Sequence, residues 1–167
     1  DWSRYAVGMK SDADHGYDAF SAKSTSSHYT MVMGSTTRLP VAFGAKGQTA
    51  EARNTAEAEV IALDYATFRA ALPLAATLEA LLRRDAKLPG YGDNDASLIA
   101  AKKGHSRRLG YVRKYQRMSL SALRRVWVGK EPHERFGLPC PNFLGRVSSG
   151  DNEADLGTKP LEAERHH

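Results

Sequence analysis

Asn54-Thr55-Ala56-Glu57-Ala58-Glu59-Val60-Ile61-Ala62-Leu63 reads as the entry to a helix, with Asn54 as N-cap and Glu57 three residues on in the capping-box position. The helix is expected to run to about Ala71. Its apolar residues, among them Val60, Ile61, Leu63, Tyr65 and Phe68, lie almost all round it, the pattern of a helix central to its domain. Glu57 is accounted for as a cap and partner of the helix dipole. Glu59 is not: a carboxylate beside Val60 and Ile61 is costly to bury without a partner.

On the N-terminal side of this helix, Tyr5–Ser11, His28–Gly34 and Leu39–Phe43 have the β-branched and aromatic bias of strands and form a three-stranded meander. On the C-terminal side, Pro73 opens a second helix to about Arg84, and a short strand follows over Lys87–Gly92. Ser97–Lys103 is helical, and Arg107–Trp127 reads as one long basic helix after a Gly104-His105 break. Asn142–Ser148 is the last expected strand and Asn152–Gly157 a short terminal helix. Strands first as a meander and then alternating with helices imply an α/β chain with a mixed sheet and helices on its faces.

The 167 residues, 41% apolar and 26% charged, suit one domain and exclude a disulfide-stapled miniprotein or a disordered tail. The core is expected over about 5–161, with 1–4 and 162–167 as linker or tag ends. A single cysteine, Cys140, cannot close an internal bridge, so an intracellular setting, cytoplasmic or nuclear, is expected. Apolar stretches break well short of the ~20 residues of a membrane helix, so no membrane partner is expected. The chain opens on Asp1 without methionine and reads as a segment of a longer polypeptide.

The net charge of +5 is unevenly placed. Nine Lys/Arg and no acid lie between Lys102 and Arg125, which leaves 15 bases against 19 acids, about −4, for the rest. Such a block suits a polyanion, whose phosphates supply sequence-independent affinity, although a basic solvated helix face has the same composition.

Four acids fall at the ends of separate elements. Asp12 follows the first strand, Glu59 lies just over one turn into the apolar helix, Asp93 ends the fourth strand, and Asp155 sits near the start of the last helix. Brought together, they would repel unless hard divalent cations lay between them, and Mg²⁺ takes carboxylate and phosphate oxygens. Taken singly, Asp12 and Asp14 are also plain loop acids, and Asp93 and Asp155 plain caps; spacing does not separate the two readings.

The wording of the motifs does. Thr55-Ala56-Glu57-Ala58-Glu59 followed by Val60-Ile61-Ala62-Leu63 resembles the S-T-A-E-A-E-Y-x-A-L signature of the ribonuclease H domain in copia-type LTR retrotransposons. Ser11-Asp12-Ala13-Asp14 resembles that family's S/T-D-A-D, Ser24-Thr25-Ser26-Ser27-His28-Tyr29 its S-T-S-G-Y, and Lys46-Gly47-Gln48 its K-K-Q. Asp93-Asn94 resembles D-N, His105-Ser106-Arg107 H-S-R, and Ala154-Asp155-Leu156-Gly157-Thr158-Lys159-Pro160-Leu161 A-D-x-x-T-K-P-L. The matches run in family order from Ser11 to Leu161.

The resemblance implies a ribonuclease H-like fold with a mixed five-stranded sheet, and hydrolysis of the RNA strand of an RNA/DNA hybrid during reverse transcription. By position, Asp12, Glu59, Asp93 and Asp155 match the family's metal ligands, with Asp14 and Glu57 as the fallbacks. The implied cofactors are two Mg²⁺ ions, with Mn²⁺ as substitute, which activate a water and stabilise the leaving 3′-oxygen. The implied partners are the hybrid and the reverse transcriptase domain of the same polyprotein. Asn54, Thr55 and Asn94 are candidates for contacts to the 2′-hydroxyls that DNA lacks. Arg107, Arg108, Arg113, Lys114 and Arg117 are candidates for tracking phosphates without reading bases.

The chain departs from the family at His15, where a Trp is usual, and at Leu109-Gly110-Tyr111-Val112, where K-H-I-D is usual. Gly129–Pro141 reads as extra loop. The histidine that often precedes the final Asp is missing from Val147–Glu153, His133 being the nearest upstream. A catalytically silent connection domain predicts loss of the acids, and a transposase or integrase predicts three acids of D-D-E type. A non-enzymatic RNA-binding module explains the basic block but not Glu59.

Overall fold

The computed structural model describes residues 5–15, 23–129 and 142–158, the Arg113 side chain excepted. His133, Cys140, most of Gly129–Pro141 and the Lys159-Pro160-Leu161 end of the last motif lie outside the described residues.

Five strands form one sheet: β1 (Ala6–Ala13), β2 (Thr25–Met33), β3 (Arg38–Gly47), β4 (Leu88–Gly92) and β5 (Asn142–Arg146), in the order β3-β2-β1-β4-β5. The first three pair antiparallel as the expected meander, and β4 and β5 add parallel to β1. The sheet is therefore mixed, as expected. β1 runs two residues beyond its expected end at Ser11, so Asp12 lies within the strand, opposite Ser27, rather than after it. The ladder with β2 carries the chain on.

Helix α1 (Thr55–Ala66) starts where its cap predicts, Asn54 Oδ1 accepting from the Glu57 N–H at 2.9 Å. It packs across β1 and β2, with Val60 and Leu63 in one buried cluster with Val7 and Met9, and Ala58 and Ala62 in a second with Ala13. Alternation along β1 turns Lys10 to the opposite side. There Lys10 pairs with Glu153 in the terminal 3-10 turn (Glu153–Gly157), so helical structure covers both faces of the central strand.

The separate helix expected from Pro73 is a continuation. α1 passes through a π-helical turn (Thr67–Ala71) directly into α2 (Leu72–Leu82). Pro73 has no N–H for the ladder, and the Leu72 N–H reaches back five residues to the Thr67 carbonyl, so the irregularity is absorbed in the turn rather than by a break.

The single basic helix over Arg107–Trp127 is also not formed. After α3 (Asp95–Lys103), the segment divides into α4 (Val112–Tyr115) and α5 (Leu120–Trp127). Arg117 adopts φ 55°, which reverses the chain, and Ser119 caps α5 by accepting from the Ala122 N–H. Tyr111 and Gln116, flanking α4, both donate to Glu57 and hold α4 in place. No proline or glycine marks the break between Tyr111 and Ser119 in sequence.

α5 lays Trp127, 3% exposed, across the sheet at Gly90. A Cβ at Gly90 would lie 2.4 Å from Trp127 Cη2. Gly90→Ala is expected to destabilise the fold by about 2 kcal/mol through overpacking, read as a fall in Tm of roughly 4–8 °C.

Candidate metal centre

Topology alone brings two of the acids together. β1 and β4 are parallel neighbours with Lys10 opposite Tyr91, so two residues further on Asp12 and Asp93 stand side by side at the carboxyl ends of the strands. Such ends are where open sheets place their sites. Glu59, in the second turn of α1, completes the group: one carboxylate oxygen from each of Asp12, Glu59 and Asp93 lies within 4.8 Å of the others.

Asp12 and Glu59 are 4% and 5% exposed, and Asp93 is half-buried at the rim. Burial pushes the Glu59 carboxyl up to about 9, helped by the charges of Asp12, Asp93 and Asp155 and opposed by a hydrogen bond with the Ala13 backbone. The part due to the neighbouring charges is the mutual repulsion a divalent cation relieves, and a donor set made only of carboxylate oxygens is the set that hard Mg²⁺ or Mn²⁺ prefers. Asp12, Glu59 and Asp93 would hold the ion. Asp155 acts on Glu59 through space but lies outside the 4.8 Å group.

Asp155 is carried by the 3-10 turn, and that turn is fastened to the sheet by polar contacts. The buried Asn152 amide donates to the Ser11 carbonyl (3.0 Å), Ser27 donates to the Ala154 carbonyl, and Lys10 reaches both Asp151 and Glu153. A Cβ at Gly157 would meet Ser27 Cβ at 2.7 Å, so only glycine admits this approach.

Two hydroxyls orient the acids, and neither was among the residues expected to form the site. Thr158, 6% exposed, donates to Asp12 Oδ2 at 2.5 Å, and Ser149 donates to Asp93 Oδ2 at 2.8 Å. Thr158 belongs to the A-D-x-x-T-K motif, so a signal was present; Ser149 follows no motif.

The fallback acids are engaged elsewhere. Asp14 accepts from the Thr25 N–H at the end of the β1–β2 ladder. Glu57, fully buried, accepts from the Arg53 N–H (2.9 Å), the Tyr111 hydroxyl (2.6 Å) and Gln116 Nε2 (3.1 Å), joining the start of α1 to α4. The Arg53 guanidinium lies 4.5 Å over the Tyr111 ring beside this junction.

The expected nucleic-acid contacts lie on several elements. Thr55 is exposed at the start of α1, while Asn54 and Asn94 spend their side-chain oxygens capping α1 and α3. Arg107 and Arg108 are exposed between α3 and α4, Lys114 is exposed on α4 and Arg117 on the turn after it; the Arg113 side chain is outside the description. The positive charge thus follows a bend instead of one helix face.

Solved structures share this arrangement of strands and helices. RNase H1 from the halophilic archaeon Halobacterium salinarum NRC-1 superposes with a TM-score of 0.53 over 91% of this chain and 93% of its own, at 18% identity. LC11-RNase H1, isolated from compost by a metagenomic approach, gives 0.50 over 90% and 91%, at 11% identity. The fold is the ribonuclease H fold. No family model and no curated protein matches the sequence.

Proposed function

We propose that the chain is a metal-dependent endonuclease that hydrolyses the RNA strand of an RNA/DNA hybrid by a two-metal-ion mechanism. We read it as the ribonuclease H domain, spanning 1–167, of a copia-type retrotransposon polyprotein. The observation that carries the reading is the convergence of Asp12, Glu59 and Asp93 at the carboxyl ends of β1 and β4 on a ribonuclease H fold. Retention of these acids argues against a silent connection domain.

Asp12, Glu59 and Asp93 would hold the divalent ions, whose chemistry would be to activate a water and stabilise the leaving oxygen. The protein's part is positioning. Thr158 and Ser149 orient the carboxylates of Asp12 and Asp93, and the fastened 3-10 turn holds Asp155 near enough for its charge to act on Glu59. Thr55, exposed one turn before Glu59 on α1, offers its hydroxyl to the RNA strand. Arg107, Arg108, Lys114 and Arg117 engage phosphates on the bend. The reverse transcriptase domain of the same polyprotein delivers the hybrid, inside the cell.

The test is incubation of labelled RNA/DNA hybrid, duplex DNA and duplex RNA with Mg²⁺ or Mn²⁺. Cutting confined to the RNA of the hybrid, leaving 5′-phosphate and 3′-hydroxyl ends, is expected. Preferential cutting of duplex DNA, or no cutting with either metal, would overturn the reading.

A further inference from the structure

A second cavity, of about 300 Å³, lies on another face of α1 and takes no part in the proposed reaction. Its size is at the lower end of the ~300–1,000 Å³ usual for small-ligand sites. Ile61, Asp64, Tyr65 and Phe68 recur at helical spacing and form one wall, continuing from α1 into the π-turn. The end of β3 with Gln48, and Gln116 after α4, close the other sides.

Two acceptors here have no donor among the described residues. Gln48 is 5% exposed, and its amide nitrogen is committed to Ser26 Oγ (2.9 Å) and the Ala58 carbonyl (3.0 Å). Those bonds fix the amide's orientation and leave Oε1 buried without a hydrogen-bond partner. Asp64 has neither an ion pair nor a side-chain hydrogen bond among the described residues, and burial raises its carboxyl to about 6. Native interiors rarely leave a buried acceptor such as Gln48 Oε1 unmet, and Asp64 stands half-buried beside it at the cavity. The cavity also has an aromatic wall and a cationic rim: the Lys46 ammonium lies 5.8 Å over the Tyr65 ring, and Arg69 is exposed at the margin.

We propose that this cavity binds a guanine nucleotide, with the base edge on Asp64 and Gln48, the ring against Tyr65 and Phe68, and phosphate at Lys46 and Arg69. Two acceptors need a ligand edge with adjacent donors. Guanine offers N1–H beside its N2 amine, a pair that matches a carboxylate. Adenine and cytosine set a ring-nitrogen acceptor beside the amine, and uracil places its single N–H between two carbonyls; each would turn an acceptor toward Asp64. The nucleotide is either free or an unpaired guanine of a bound strand. The assignment stands on the cavity and does not require hybrid cleavage.

The experiment is calorimetric titration of the full chain with GMP, AMP, CMP and UMP at pH 7.5. GMP is expected to bind with Kd below about 1 mM and at least tenfold tighter than UMP. Asp64→Asn is expected to erase that preference while hybrid cleavage persists and Tm does not fall. Hybrids ending in one unpaired guanine or one unpaired uracil then separate the sources: a guanine preference lost in Asp64→Asn identifies a strand terminus, and equal binding identifies the free nucleotide. Equal affinity for the four nucleotides, GMP binding weaker than 1 mM, or undiminished GMP binding by Asp64→Asn would overturn the proposal whatever the cleavage assay returns.

Discussion

Asp93→Asn is expected to lower the single-turnover rate of hybrid cleavage by about 10³-fold or more at saturating Mg²⁺, with the Tm unchanged. The size follows from what the carboxylate is asked to do: a charge that holds a divalent ion contributes several kcal/mol of transition-state stabilisation, and ~4 kcal/mol is a thousandfold in rate. The fold tolerates the change because the Asn oxygen still accepts from Ser149, and the cap of α3 belongs to Asn94, not Asp93. Asp12→Asn has the same expectation and also loses charge opposite the Thr158 hydroxyl. Asp14→Asn is the control. Its carboxylate serves the Thr25 N–H at the strand end, so cleavage is expected to stay within a few-fold of wild type. Asp93→Asn within tenfold of wild type, or Asp14→Asn as impaired as Asp12→Asn, would remove the proposed ligand set.

That contrast between Asp12 and Asp14 also marks what the sequence made legible. Alternation along Ala6–Ala13 and the apolar helix beginning at the Asn54 cap carry their own periodicity, so the sheet's first half and α1 were readable. Once β4 is placed parallel to β1, Asp12 and Asp93 must be neighbours, and Glu59 is singled out by its expense on an apolar helix. The motif order fixed which acids to choose where spacing did not.

What was not legible depends on contacts distant in sequence. Arg107–Trp127 contains helix-forming residues without a breaker between Tyr111 and Ser119, and the chain bends there because Tyr111 and Gln116 are drawn to Glu57, more than fifty residues away. A local reading has no access to that attraction. The same holds for Ser149 and Thr158, which are ordinary turn hydroxyls until the 3-10 turns are seated on β1. The α1–α2 junction failed for a different reason: proline ordinarily opens a helix, and nothing in Phe68–Pro73 announces that a π-turn will carry the chain through.

Glu59 supplies the largest expected effect on stability. In the absence of metal its carboxyl is held at about 9, against 4.5 for the ordinary group, so between those values the folded chain keeps a proton that the unfolded chain has lost. The unfolded state then binds fewer protons, and stability falls as pH rises through the window, levelling off above it. At pH 7 the penalty is about 3 kcal/mol. Glu59→Gln removes it, and in EDTA is expected to raise Tm by roughly 6–12 °C at that pH. Asp64 and His28 also titrate, but Asp64 is raised only to about 6 and burial lowers His28 from 6.5, so the slope between pH 7 and 9 isolates Glu59. Saturating Mg²⁺ should close the gap from the wild-type side. The cation replaces the proton as the partner of the clustered carboxylates, whereas the Gln variant has less charge to offer and gains little. Thermal unfolding at pH 7, 8 and 9, with and without Mg²⁺, decides the matter. A metal-free wild type whose Tm stays level or rises over that range, or a Gln variant with the same slope, would mean that burial beside the other acids does not hold a proton on Glu59.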